Sequence, residues 1–164
     1  MPDVLDAIFK AYDVRGTVPD QLDAELCRAI GAAFARFASE TEGATRVLVG
    51  RDMRPTGAEF AGAFSEGVQG QGLDVVDVGL ASTDLVYFAS GRLGAPAAMF
   101  TASHNPANYN GIKFCLTGAR AVGQDTGLDR IKATVRGGIT DAPTEPGSLS
   151  GVDLLDDFAE HVRS

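Results

Sequence analysis

No stretch of this chain stays apolar for long enough to cross a bilayer, so a transmembrane helix is excluded as a reading of its 164 residues. Basic residues are also in short supply: Lys and Arg total 14 against 22 Asp and Glu, a formal charge of −8. Nucleic acids and anionic membrane surfaces are recognised through clustered cations, so neither is expected as a partner. A small anionic ligand remains possible, because it needs only a few cations converging locally. Cysteine is scarce as well. Cys27 and Cys115 have no metal-ligand spacing, and each sits in an apolar segment where a buried thiol packs as a small hydrophobe. The opening Met1-Pro2-Asp3-Val4 lacks the basic start and apolar run of a secretory signal, and a soluble cytoplasmic protein is the default expectation. Internal repeats and low-complexity tracts are missing too.

What is present is the pattern of one globular α/β domain, with 45% hydrophobic and 22% charged residues. From Leu22, the residues Leu26, Ile30 or Ala33, Phe34 and Phe37 recur along one stripe of a helix, with Asp20 as its expected cap and Gly43 as its stop. Val47-Leu48-Val49 reads as a strand buried on both faces, and Phe60, Phe64 and Val68 mark a second helix that breaks at Gly70-Gln71-Gly72. Leu73 to Val78 gives a second strand, Asp84 to Leu93 a third helix, and Ala97 to Phe100 a third strand. Ile112, Phe114 and Leu116 alternate with Lys113 and Cys115 on a fourth strand, and Leu128, Ile131 and Val135 share one side of a last helix. Helices alternate with strands throughout, which predicts a three-layer α/β/α domain over residues 1–136 around a four-stranded mixed sheet. Residues 137–151 are rich in Gly, Pro, Thr and Ser and read as a linker, and 152–164 as the start of a second domain.

The most informative stretch follows the third strand and leads into the fourth: Thr101-Ala102-Ser103-His104-Asn105-Pro106, then Tyr109-Asn110-Gly111-Ile112-Lys113. Loops at strand ends of open α/β sheets present backbone and side chains to ligands without disturbing the core. Ser103 supplies a hydroxyl, His104 two ring nitrogens, Asn105 amide donors and Lys113 a cation. These residues alone permit a serine hydrolase, a serine that carries a phosphoryl group, or a plain structural loop closed by Asn and Pro. The hydrolase is the weaker enzymatic reading. Successive Ser and His side chains on extended backbone point to opposite sides, and no Gly-x-Ser-x-Gly elbow surrounds Ser103.

The string Thr101 to Lys113 resembles the phosphoserine signature of the α-D-phosphohexomutases, in which Ser-His-Asn-Pro, an aromatic and Asn-Gly-x-Lys recur. Phe9-Lys10-Ala11-Tyr12-Asp13-Val14-Arg15-Gly16 is similar to the opening motif of that family, and Gly50-Arg51-Asp52-Met53-Arg54 to another motif of its first domain. The resemblance implies a phosphoglucomutase or phosphomannomutase, which interconverts hexose 1-phosphate and 6-phosphate through a bisphosphate. It makes Ser103 the phosphocarrier, Lys113 the first choice for acid–base help, and His104 a phosphate or substrate contact able to share the proton work. Arg15 is implied for two-pronged phosphate contact and Tyr12 for a hydroxyl contact. Asn105, Arg51, Asp52 and Arg54 are expected to brace the loop rather than touch substrate.

The same resemblance implies Mg²⁺ held partly by the Ser103 phosphate, a hexose 1,6-bisphosphate activator, a phosphorylated hexose substrate, and downstream domains as partners. This chain shows no Asp-x-Asp-x-Asp grouping of the kind a tight Mg²⁺ site needs. The expectation is therefore a domain that is catalytically incomplete by itself, with a stand-alone phosphosugar- or partner-binding module as the alternative.

Overall fold

The computed structural model describes residues 4–102, 105–142 and 145–163. Helices α1 (Val4–Ile8), α2 (Ala24–Glu42), α3 (Gly57–Gly70), α4 (Thr83–Leu93), α5 (Leu128–Gly137) and α6 (Leu155–Arg163) surround one sheet. Its strands are β1 (Val14–Thr17), β2 (Arg46–Arg51), β3 (Asp74–Leu80), β4 (Ala97–Phe100), β5 (Tyr109–Leu116), β6 (Arg120–Ala121) and β7 (Leu149–Gly151). Their spatial order is β1-β5-β4-β2-β3-β7, with β6 also paired to β5. The strands β4, β2, β3 and β7 run parallel, whereas β5 is antiparallel to β1, β4 and β6.

Side-chain alternation along the strands builds two cores. Val47, Val49, Ala98, Phe100, Ile112 and Phe114 bury against α2, α3 and α5, where Phe34 and Phe64 meet them. The Phe34 and Phe114 rings lie 4.6 Å apart between centroids, and Phe64 meets Phe100 edge to face at 5.4 Å. Leu48, Ala97, Met99 and Cys115 point the other way and pack under Leu85, Val86 and Ala89 of α4 and under Leu154. Helices therefore cover both faces, the arrangement that a sheet with parallel, doubly apolar strands requires.

The α/β/α class holds, but among the described residues the sheet has seven strands rather than four. The added strands carry little of the signal that marks a strand: β1 is Val-Arg-Gly-Thr, β6 has two exposed residues, and β7 is an exposed Leu-Ser-Gly. Tertiary pairing alone makes them strands. β7 falls inside the 137–151 segment and is held to β3 from Val75↔Leu149 to Asp77↔Gly151, while Ser148 N donates to Asp74 Oδ1 at 2.8 Å. Beyond it, Phe158 of α6 packs on Phe88 of α4, with ring centroids 5.6 Å apart. No helix among the described residues is long and apolar enough to cross a membrane.

The cap of α2 is also corrected. Asp23, not Asp20, is the N-cap, and its Oδ1 accepts from Leu26 N at 2.8 Å. Asp20 instead belongs to a turn in which Gln21 N and Leu22 N both donate to Thr17 O. Asp23→Ala should therefore cost about 1 kcal/mol, lowering the unfolding midpoint by roughly 2–4 °C, whereas Asp20→Ala should leave a calorimetric scan unchanged. Equal effects of the two substitutions would refute the assignment.

Candidate functional site: a clamped loop at the strand ends

The parallel strands β2, β3 and β4 all end at one edge of the sheet, so the segments after Arg51, Leu80 and Phe100 gather there. Of the loop that joins β4 to β5, Ser103 and His104 lie outside the described residues. Their flanks are tied together. Asn105 N donates to Ala102 O at 3.0 Å, and Thr101 N donates to Gly111 O at 2.9 Å. Gly111 can have no side chain: a Cβ there would lie 2.2 Å from Val14 O and 3.1 Å from Thr101 O, because β1 and β4 press in from both sides.

The structure brings four of the expected site residues together around that loop. Arg54 reaches across from the β2–α3 connection, donating from Nη2 to Asn105 O at 2.9 Å and from Nη1 to Pro106 O at 2.8 Å and Tyr109 O at 3.1 Å. One planar guanidinium thus fixes three loop carbonyls, a geometry that a lysine ammonium on a flexible stem could not reproduce. Asp52 aims it, accepting from Arg54 N at 3.1 Å and lying 3.6 Å from Arg54 Nε. Only 12% of the Arg54 side chain is exposed, so bulk water does little to weaken these contacts.

Arg15 approaches from β1. Its Nε pairs with Asp13 Oδ1 at 3.1 Å and its Nη1 donates to Asn105 Oδ1 at 3.1 Å. Asn105 is consequently held by its side chain through Arg15 and by its carbonyl through Arg54. More than a third of the Arg15 side chain remains exposed, which leaves donors for an incoming anion.

The other expected residues sit further out. Lys113 is half-buried on β5, opposite Met99 of β4. Arg51 ends β2, where its carbonyl accepts from Ala81 N at 2.8 Å. Tyr12 is 80% exposed and borders a separate depression of about 360 Å³ with Gln124, Asp125 and Thr126. A larger apolar groove of about 810 Å³ runs beside the loop, between Met53, Leu80 and Asn105 on one side and Leu155 and Phe158 of α6 on the other.

Sequence reasoning gave no role to three residues that the geometry singles out: Asp13, which orients Arg15, and the pair Asn110 and Thr56. Asn110 is fully buried, and its Nδ2 donates to Thr56 Oγ1 at 2.9 Å. Asp13 and Asn110 both fall inside the motif strings, which was the available signal. The sequence marked Thr56 only as part of the Pro55-Thr56-Gly57 turn ahead of a helix. Cys27 and Cys115 are buried and free, and burial pushes both thiols above their ordinary range, so they pack rather than react.

Fold and site together define an α/β/α domain that presents a Ser-His-Asn-Pro loop gripped by two arginines. Residues 6–140 match the family model for phosphoglucomutase/phosphomannomutase, alpha/beta/alpha domain I, and the chain belongs to that family. It is 35% identical over 158 residues to a phosphomannomutase of Vibrio cholerae, covering 95% of this chain and 34% of that protein. A Xanthomonas campestris protein described as phosphohexose mutases is 44% identical over 128 residues, which is 77% of this chain and 28% of that one. The crystal structure of a phosphoglucomutase/phosphomannomutase family protein from Burkholderia thailandensis superposes with a TM-score of 0.86 at 32% identity, over 99% of this chain and 36% of that one. The chain thus spans roughly a third of the length of the curated relatives it matches.

Proposed function

We propose that this chain is the serine-bearing first domain of a phosphohexomutase, with Ser103 passing a phosphoryl group to and from a hexose monophosphate. The observation that carries this reading is the double grip on Asn105, two residues beyond Ser103, by Arg15 and Arg54. Phosphoryl transfer runs through a loose state with charge on the equatorial oxygens, so positioning and nearby cations supply most of the catalysis. A loop locked at its carbonyls and approached by a partly exposed arginine meets both needs.

In the forward half-reaction the P–Oγ bond of phosphorylated Ser103 breaks as a sugar hydroxyl oxygen bonds to phosphorus. The hydroxyl proton passes to a base, with Lys113 first in line and His104 second, the freed Ser103 Oγ takes up a proton to become a hydroxyl, and the product is a hexose 1,6-bisphosphate. After the bisphosphate turns around, its other phosphate returns a phosphoryl group to Ser103 Oγ, the serine proton leaves to the base, the sugar oxygen released from phosphorus is protonated, and the isomeric monophosphate results. Arg15 is suited to two-pronged contact with phosphate, and Tyr12 offers a hydroxyl contact to the substrate. Among the described residues no three His, Cys, Asp or Glu side chains converge on a possible cation site. Carboxylates from downstream domains would therefore have to complete any Mg²⁺ site at the serine phosphate.

The test mixes this chain with separately produced downstream domains of a related phosphomannomutase, Mg²⁺ and glucose 1,6-bisphosphate. Intact-mass measurement should show one phosphoryl group arriving on this chain, together with interconversion of hexose 1- and 6-phosphates. Hexose-phosphate binding with no phosphoryl uptake would overturn the reading in favour of a stand-alone binding module.

A further inference from the structure

Thr56 occupies the N-cap position of α3, where a threonine hydroxyl ordinarily accepts a hydrogen bond from the first turn of its own helix. Here it makes no such bond, and the backbone is already helical at φ −88° and ψ −1°. The hydroxyl turns across the sheet edge and accepts from Asn110 Nδ2 at 2.9 Å. Asn110 is an unusual choice for its position. Asparagine is disfavoured in strands, and a fully buried amide is costly unless it is satisfied. Its Oδ1 is matched as well, accepting from Gly111 N at 2.8 Å. Helix capping at one end and an apolar strand residue at the other have both been given up for a single contact between segments 54 residues apart.

That contact completes a pattern. Arg54 holds the carbonyls of Asn105, Pro106 and Tyr109, and two residues later Thr56 holds Asn110. The short β2–α3 connection therefore grips the loop from just beyond Ser103 to the first residues of β5. Asn110 is the second residue of the strand that carries Lys113 three positions further on, so its anchorage bears on where that residue stands. Without the Thr56 contact Arg54 would still hold the loop's carbonyls and β1 would still pair with Asn110 through the backbone, but the Asn110 side chain would lose its tie to the β2–α3 connection.

We propose that Thr56 is a positioning residue of the phosphoryl-transfer loop, acting through Asn110 to set the loop and Lys113 relative to Ser103. The transfer part of this statement rests on the function proposed above. Thr56→Val removes the hydroxyl while keeping shape and branching, and Thr56→Ser keeps the hydroxyl. In the 164-residue chain, Thr56→Val should raise amide hydrogen exchange across residues 105–111 by about tenfold, the loss expected for one buried hydrogen bond, and lower the unfolding midpoint by roughly 3–6 °C, while exchange in α3 changes little. Thr56→Ser should restore wild-type exchange. In the reconstituted mixture with glucose 1,6-bisphosphate, the same valine variant should take up phosphate on Ser103 about tenfold more slowly, with the serine variant again rescuing the rate.

Unchanged exchange over 105–111 overturns the proposal, and so does faster exchange confined to the first turn of α3, which would make Thr56 an ordinary helix residue. If the wild-type chain takes up no phosphate while the exchange pattern appears as expected, the phosphocarrier reading fails and the anchorage of the loop by Thr56 stands.

Discussion

Ser103→Ala should abolish phosphoryl uptake by this chain and reduce mutase turnover in the reconstituted enzyme by on the order of four decades, as loss of a covalent nucleophile does. The size follows from the absence of a substitute. Thr101, the nearest other hydroxyl in the loop, is only 6% exposed and is locked to Gly111 by its backbone. Tyr109 lies six positions on, at the start of β5. Neither can take over a phosphoryl group aligned for transfer at position 103, where small displacements are costly. Alanine keeps the backbone free to make the Ala102–Asn105 turn, so the thermal unfolding midpoint should match that of the wild type. Mass spectrometry after incubation with the bisphosphate, alongside a coupled assay of hexose 6-phosphate formation, measures both quantities. Turnover that survives the substitution would mean that the phosphoryl group travels directly between substrates or over another residue.

How much of this was legible in the sequence depends on where each signal resides. The four strands read from it, around Val47–Val49, Leu73–Val78, Ala97–Phe100 and Ile112–Leu116, are those whose own side chains bury, so the pattern of apolar residues declares them. β1, β6 and β7 exist because a neighbour offers a free edge, and an edge is a property of the assembled sheet. The helix cap shows the same limit at short range. Asp20 and Asp23 are equally good caps in composition, and only the turn that Thr17 O organises decides between them. In the site, the motif strings drew attention to Arg15, Asn105 and Arg54, but the carbonyls that Arg54 holds are 51 to 55 residues away in sequence. Backbone acceptors carry no residue identity, so no string of letters could have named them. Thr56 was invisible for a further reason: a threonine ahead of a helix already has a sufficient local explanation, and the structure removes that explanation.

The packing of α2 on α3 yields the largest expected stability effect. These helices cross with glycine facing backbone on each side: a Cβ on Gly67 would lie 2.0 Å from Arg28 O, and one on Gly31 would lie 2.1 Å from Phe64 O. Both obstructing atoms are main-chain, so no side chain can rotate away and the helices themselves must separate. Phe64 and Phe34 sit one turn from the two glycines and meet Phe114 across the core, at 6.2 Å and 4.6 Å between ring centroids. Separation would therefore loosen the main aromatic cluster. Two effects oppose each other in Gly67→Ala. Alanine favours the helix by about 1 kcal/mol, whereas overpacking against rigid backbone costs about 3 kcal/mol or more. The clash should win, with a net loss of at least about 2 kcal/mol and a midpoint lowered by roughly 4–8 °C. Gly62→Ala on the same helix isolates the propensity effect, since a Cβ there meets nothing within 4 Å, and it should stabilise the domain by about 1 kcal/mol. Urea unfolding of the two variants side by side is the measurement: opposite signs are expected, and a Gly67→Ala protein as stable as Gly62→Ala would show that the helices do not touch along their backbones.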